Sequence, residues 1–239
     1  MAYLGSNTDL GSDLIAITGG YAYNSPQNYV TMYDDFLGQT TAGAYAWGAS
    51  TASGGSSAVQ NGITLTSQTI GLINLFTGGS TTGGSALQLP NIFVLGGGVI
   101  SLTWRSIIPT LSNGTDRFTI YQGLSVGGNS TPTDGIWFQY SDNVNSGQWQ
   151  IICRGSSTST TTNTSTAADT SFHKFRIDIN AAGSSVTFYI DGTSVGTIAT
   201  HIPTAAIGPW ANILKSAGTN SLNLILDYFK AYYALTTAR

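Results

Sequence analysis

Glutamate does not occur in this 239-residue chain. The eleven acidic residues are all Asp, and with eight Lys and Arg they bring the charged fraction to only 8%, against roughly 25% in ordinary soluble domains. The surface is therefore made of Ser, Thr, Asn, Gln and Gly. At a formal net charge of −3 the chain has no basic field to gather phosphates, which argues against a nucleic-acid partner. Weak self-repulsion also lets copies of such a chain pack closely. Helix formers are scarce, since Lys is confined to Lys174, Lys215 and Lys230 while Thr, Val, Ile, Tyr and Gly abound. The class is all-β.

Cysteine and histidine are almost as rare. Cys153 alone cannot form an internal disulfide, and it alternates in phase with Trp149 and Ile151 as a buried thiol does. His173 and His201 have no neighbouring His, Cys or Glu with which to build a zinc site. The longest apolar run, 92–102, is broken by Gly96, Gly97 and Gly98 and falls short of the roughly twenty residues of a membrane helix. The opening MAYLGSNTDLGSD has no basic segment ahead of an apolar core, which argues against a secretory signal.

What is present is alternation. In 171–199, Phe175, Ile177 and Ile179 and then Val186, Phe188 and Ile190 fall on every second position, the period of half-buried strands. Turns at Ala182-Gly183-Ser184 and Asp191-Gly192 make this an antiparallel meander of three strands. Further strands are predicted at 29–38, 63–67, 71–77, 86–89, 99–108, 117–123, 135–141, 148–154 and 221–234. Residues 50–60 read as a Gly/Ser loop and 201–218, with Pro203 and Pro209, as an irregular crossover. The Thr/Ser run 156–166 reads equally as an edge strand or a loop. The even spacing predicts one antiparallel two-sheet jelly-roll sandwich over 28–239. Residues 1–27, with Tyr3, Leu14, Ile15 and Tyr21 among small polar residues, form an arm that is either disordered or ordered by assembly contacts.

The strings HKFRIDIN and SVTFYIDGTSVGTI resemble the hairpins of concanavalin A-like and laminin-G-like sandwiches, in particular those carried by structural proteins of tailed bacteriophages. LILDYFKAYY resembles the closing strand of these sandwiches, which pairs near the first strand. The resemblance implies a virion protein without enzymatic activity, on the capsid or tail. Its partners would be other virion proteins or copies of itself in a homo-oligomer, without membrane insertion. The scaffold also hosts lectins and glycosidases, so it specifies fold better than role. Its enzymes use a strand of the form Glu-x-Asp-x-x-Glu, which a chain without Glu cannot carry. Related sandwiches hold calcium with Asp side chains near the paired terminal strands, so Asp34, Asp35 and Asp227 are the candidate calcium ligands and calcium the one cofactor left open.

Two Gly-x-Ser-x-Gly strings, 123–127 and 192–196, lie in strand context and lack the strand-to-helix turn of a nucleophile elbow. Opposite the predicted core positions, Arg105, Tyr121, Trp137, Gln139, Gln150 and Arg154 project from one face. Aromatic rings flanked by amides and guanidinium groups suit stacking on a sugar, and the same residue types suit a subunit interface. Both readings stand on the sequence.

Overall fold

The computed structural model describes residues 28–36, 47–60 and 71–237. Among these, fifteen strands form two antiparallel sheets packed face to face. Sheet A contains β1 (Tyr29–Asp34), β3 (Ser56–Gln60), β4 (Leu72–Phe76), β6 (Gly98–Ile107), β11 (His173–Ile179), β12 (Val186–Ile190), β13 (Thr193–Ile198) and β15 (Asn223–Leu235). Sheet B contains β2 (Gly48–Ala52), β5 (Gly84–Gln88), β7 (Phe118–Ser125), β8 (Gly135–Tyr140), β9 (Gln148–Gly155), β10 (Thr158–Ala167) and β14 (Gly208–Lys215). The order in A is β13-β12-β11-β6-β15-β4-β3, with β1 beside β15, and in B it is β10-β9-β8-β7-β14-β5-β2. This is the concanavalin A-like jelly roll.

The meander folds as its alternation dictates. Phe175, Ile177 and Ile179 pair with Ile190, Phe188 and Val186, and all six are buried. Asp191 and Gly192 have φ of 50° and 84°, the two left-handed residues of a tight hairpin turn. The closing strand β15 pairs with β1 from Tyr29↔Ala234 to Asp34↔Phe229, as the resemblance implies. Between the sheets, Trp104, Phe229 and Trp47 pack together, with Trp104 and Phe229 centroids 4.6 Å apart. Phe138, Phe175, Phe188 and Trp149 fill the other end. Cys153 is fully buried in this core, and burial pushes its thiol up to about 12.

The structure corrects two expectations. Residues 50–60 are not a loop, because Gly54 supplies the turn that joins β2 to β3. The crossover 201–218 contains β14, a central strand of sheet B. Pro209 is tolerated there because its carbonyl takes the Leu89 amide, beyond the end of β5, so its missing N–H falls where the ladder has stopped. The Thr/Ser run is the edge strand β10. The arm residues Tyr3, Leu14, Ile15 and Tyr21, and the strand expected at 63–67, lie outside the described residues.

Candidate functional site

The outer face of sheet B carries most of the expected binding residues. Cross-strand register lines up one row as Thr161, Ile152, Trp137, Gly123, Trp210, Gln88 and Gly48. The next row is Asn163, Gln150, Gln139, Tyr121, Asn212, Ala86 and Ser50. Alternation puts the intervening residues, such as Phe138 and Ile151, into the core. Tyr121, Trp137, Gln139, Gln150 and Arg154 therefore share one face, as expected. Arg105 does not. It lies on β6 in the other sheet, where its guanidinium pairs with Asp227 and sits 4.2 Å from the centroid of the Phe172 ring.

The aromatic residues of this face are not an open platform. Tyr121, Trp137 and Trp210 form a second apolar cluster with Ala86 and Ile152, and Trp137 and Trp210 are only 1% and 0% exposed. The Tyr121 and Trp210 rings are stacked with centroids 5.5 Å apart, and Trp137 meets both edge-on at 6.2 Å. Gly123 lies between the two tryptophans in the row, so the indoles meet across a position without a side chain.

A strap, residues 126–134, is bonded to this cluster. The Gly128 carbonyl accepts hydrogen bonds from Trp210 Nε1 at 2.9 Å and Asn212 Nδ2 at 3.2 Å, and the Gly128 amide donates to Gln88 Oε1 at 2.7 Å. The Tyr121 hydroxyl meets Thr131 Oγ1 at 3.3 Å. Several buried polar atoms beside these contacts have no hydrogen-bond partner among the described residues: Trp137 Nε1, Asn212 Oδ1, Asn129 Oδ1 and Arg154 Nε. Beyond the strap the face stays open. Gln139 and Gln150 are half-buried and Asn163 exposed, and their amides link across three strands, Gln139 Nε2 to Gln150 Oε1 at 3.5 Å and Gln150 Nε2 to Asn163 Oδ1 at 2.6 Å.

Trp210, Asn212, Gln88 and Gly128 were not legible as site residues from the sequence. β14 reads GPWANILK and is buried on both faces, because its outer side packs on Tyr121 and Trp137. The usable signal is that Trp210, Asn212 and Leu214 alternate with Ala211 and Ile213.

The carboxylates expected to hold calcium are engaged otherwise. Asp34 accepts the Phe36 amide at 2.9 Å and the Trp47 indole N–H at 2.8 Å. Asp227 takes Arg105. Burial raises the Asp35 carboxyl above its ordinary range, with Asp227 and Asp34 adding to the rise and a hydrogen bond from Tyr33 opposing it. Their oxygens thus satisfy protein donors, and among the described residues no three His, Cys, Asp or Glu are grouped to hold a metal ion. Of the Gly-x-Ser-x-Gly strings, Ser125 accepts the Gly127 amide at 2.8 Å and Ser194 lies within β13, so neither makes a nucleophile elbow. Among the described residues no helix is long and apolar enough to cross a membrane.

Comparison with known proteins agrees with this architecture. The family model described as SO2946-like, C-terminal domain matches residues 68–227. The crystal structure of SO2946, a protein of unknown function from Shewanella oneidensis MR-1, superposes with a TM-score of 0.62 at 13% identity, covering 90% of this chain and 91% of that one. A Bacillus licheniformis β-glucanase gives 0.53 at 16% identity, covering 84% and 97%. The Emp47p carbohydrate recognition domain gives 0.55 at 8% identity, covering 86% and 95%. No curated relative matches the chain. The chain belongs to the SO2946-like C-terminal domain family.

Proposed function

We propose that this member of the SO2946-like C-terminal domain family is a non-enzymatic structural protein of a bacteriophage particle, displaying a lectin-like sandwich. The observation that carries the assembly role is a ladder of tyrosines on the outer face of sheet A. Tyr29 meets Tyr232 and Tyr33 meets Tyr228 across β1 and β15, with centroids 5.9 and 6.0 Å apart. Tyr33 is 54% exposed and Tyr232 37%. Tyrosine supplies large contact area at interfaces without burying charge, so this face suits packing against virion neighbours or copies of the chain. Mass spectrometry of purified particles from a phage encoding the chain should find it at fixed stoichiometry. The double variant Tyr33→Asp, Tyr232→Asp should stay folded and fail to incorporate, and normal incorporation of that variant would sink the assembly role.

A second role, adhesion to host or environmental glycans, is favoured by the amide row of Gln139, Gln150 and Asn163, which lies open beyond the strap. Planar amides suit hydroxyl groups on a sugar ring. A glycan array probed with the chain should give signals that weaken when Gln150→Ala removes the middle amide. Silence of the wild-type chain across a broad array would remove this role.

A further inference from the structure

The three hydrogen bonds of Gly128 describe the complement of a ligand. Trp210 Nε1 and Asn212 Nδ2 converge on one carbonyl oxygen, while Gln88 Oε1 accepts one N–H. Trp210 and Gln88 are register partners on adjacent strands, and the stacked Tyr121 and Trp210 rings lie alongside. The N–H and the carbonyl belong to successive peptide groups, so the sheet offers two donors to one carbonyl oxygen, a separate acceptor to an N–H or O–H, and an aromatic wall. Two fully buried side chains at the same spot remain short of partners, Asn212 through Oδ1 and Trp137 through Nε1. Buried polar atoms without partners call for an occupant.

The strap fills this position with backbone alone. Gly127 and Gly128 have φ of 92° and 96°, conformations that side chains rarely adopt. A Cβ at Gly128 would have nothing within 4 Å, so the strap faces open space at this glycine.

We infer that the strap is an internal stand-in, and that the site beneath it binds the acetamido group of an N-acetylated amino sugar when the strap lifts at Gly127–Gly128. This rests on the glycan-binding reading and specifies it. The acetamido carbonyl takes the Trp210 and Asn212 donors and its methyl faces the aromatic wall, while Gln88 accepts a hydroxyl of the same sugar. Ring hydroxyls meet Asn212 Oδ1 and Trp137 Nε1. A sugar bearing a hydroxyl at that carbon lacks the carbonyl, and a free amino sugar brings an ammonium against two N–H donors. Because the closed strap competes with the ligand, affinity falls by the fraction of molecules that are open.

The test titrates chitotriose, its deacetylated form and cellotriose into three proteins, read by calorimetry and tryptophan fluorescence. These are the wild-type chain, Gly128→Ala, and a variant in which residues 127–133 are replaced by Asn-Gly to close a short hairpin. Chitotriose should bind about tenfold or more tighter than the other two sugars, since the rejected sugars leave buried polar groups unpaired. Gly128→Ala strains only the closed strap and should tighten chitotriose binding roughly fivefold to tenfold, with the shortened variant tighter still. Equal binding of the three sugars overturns the acetamido assignment and leaves glycan binding standing. Chitotriose binding that neither strap change alters moves the site elsewhere on the face and overturns the inference. No binding by any variant overturns the inference, while the glycan reading is decided by the broad array, and Gly128→Ala decides the matter where the shortened variant does not fold.

Discussion

Replacing Trp137 with Ala distinguishes a buried second core on the outer face of sheet B from an exposed sugar platform. Trp137 is 1% exposed and touches Tyr121 and Trp210 edge-on. Large-to-small changes of a buried tryptophan cost about 3–5 kcal/mol, through lost transfer energy and the cavity left behind. Part of this is returned, because the indole N–H has no partner among the described residues and removing an unsatisfied buried donor relieves about 1–3 kcal/mol. Taking the middle of both ranges, the net loss expected is about 2 kcal/mol. In a domain of this size that lowers the melting temperature by roughly 4–8 °C. Urea unfolding followed by far-UV circular dichroism measures it, with Trp137→Phe as the companion that keeps a ring and discards the N–H at little net cost. A surface platform would lose no more than about 0.5 kcal/mol. A Trp137→Ala loss that small would refute the second core.

His173 links Asp191 Oδ2 at 2.6 Å and Asp169 Oδ1 at 3.0 Å through its two ring nitrogens. Burial opposes protonation of the ring, but the two carboxylates outweigh it and hold the pKa above the ordinary histidine value. The charged ring therefore stabilises the fold fully below about pH 6.5, and that stability is lost as pH rises through the raised value. The stability difference between wild type and His173→Asn should shrink over that rise, and a pH-independent difference would contradict it. Asp169, lowered chiefly by its bond from His173, adds stability that disappears as pH falls through its depressed value. Cys153 should resist thiol reagents at pH 8 until urea unfolds the chain, because burial raises its pKa to about 12; rapid labelling of the native protein would place the thiol at the surface. Asp34→Ala should cost roughly 2–5 kcal/mol by leaving the Phe36 amide and the Trp47 indole N–H without their acceptor. Urea unfolding reads that loss, and a value under about 1 kcal/mol would show that other groups serve both donors.

Local phase was legible in this chain and sheet membership was not. Ile100, Leu102 and Trp104 could be assigned to the core because a strand reports its inner face by alternation. Alternation says nothing about which sheet that face belongs to. Arg105 and Tyr121 are both outward-facing residues of successive strands with a turn between them, which reads as a hairpin. The chain instead changes sheets between Ile107 and Phe118, so that β6 pairs with β11 and β15 while β7 pairs with β8 and β14. Arg105 consequently lies on the opposite outer face of the sandwich from the other five residues.

The outer face of sheet B was misread for a related reason. An outward position is polar only when water covers it, and here the chain covers its own outer face. Strand β14 hides behind that covering, since burial on both sides erases the polar phase that marks a strand. The covering is non-local: Gly128 meets Gln88 forty residues earlier and Trp210 eighty-two residues later. In sequence, Gly127-Gly128 is one more small pair in a chain with 30 Gly. Its left-handed backbone matters because it aims a carbonyl and an amide at side chains brought there by two other strands, β5 and β14. A resemblance carried by hairpins identifies the scaffold, since hairpins are local. The chemistry of the face depends on register across seven strands, and becomes readable only once the rows from Thr161 to Gly48 and from Asn163 to Ser50 are aligned.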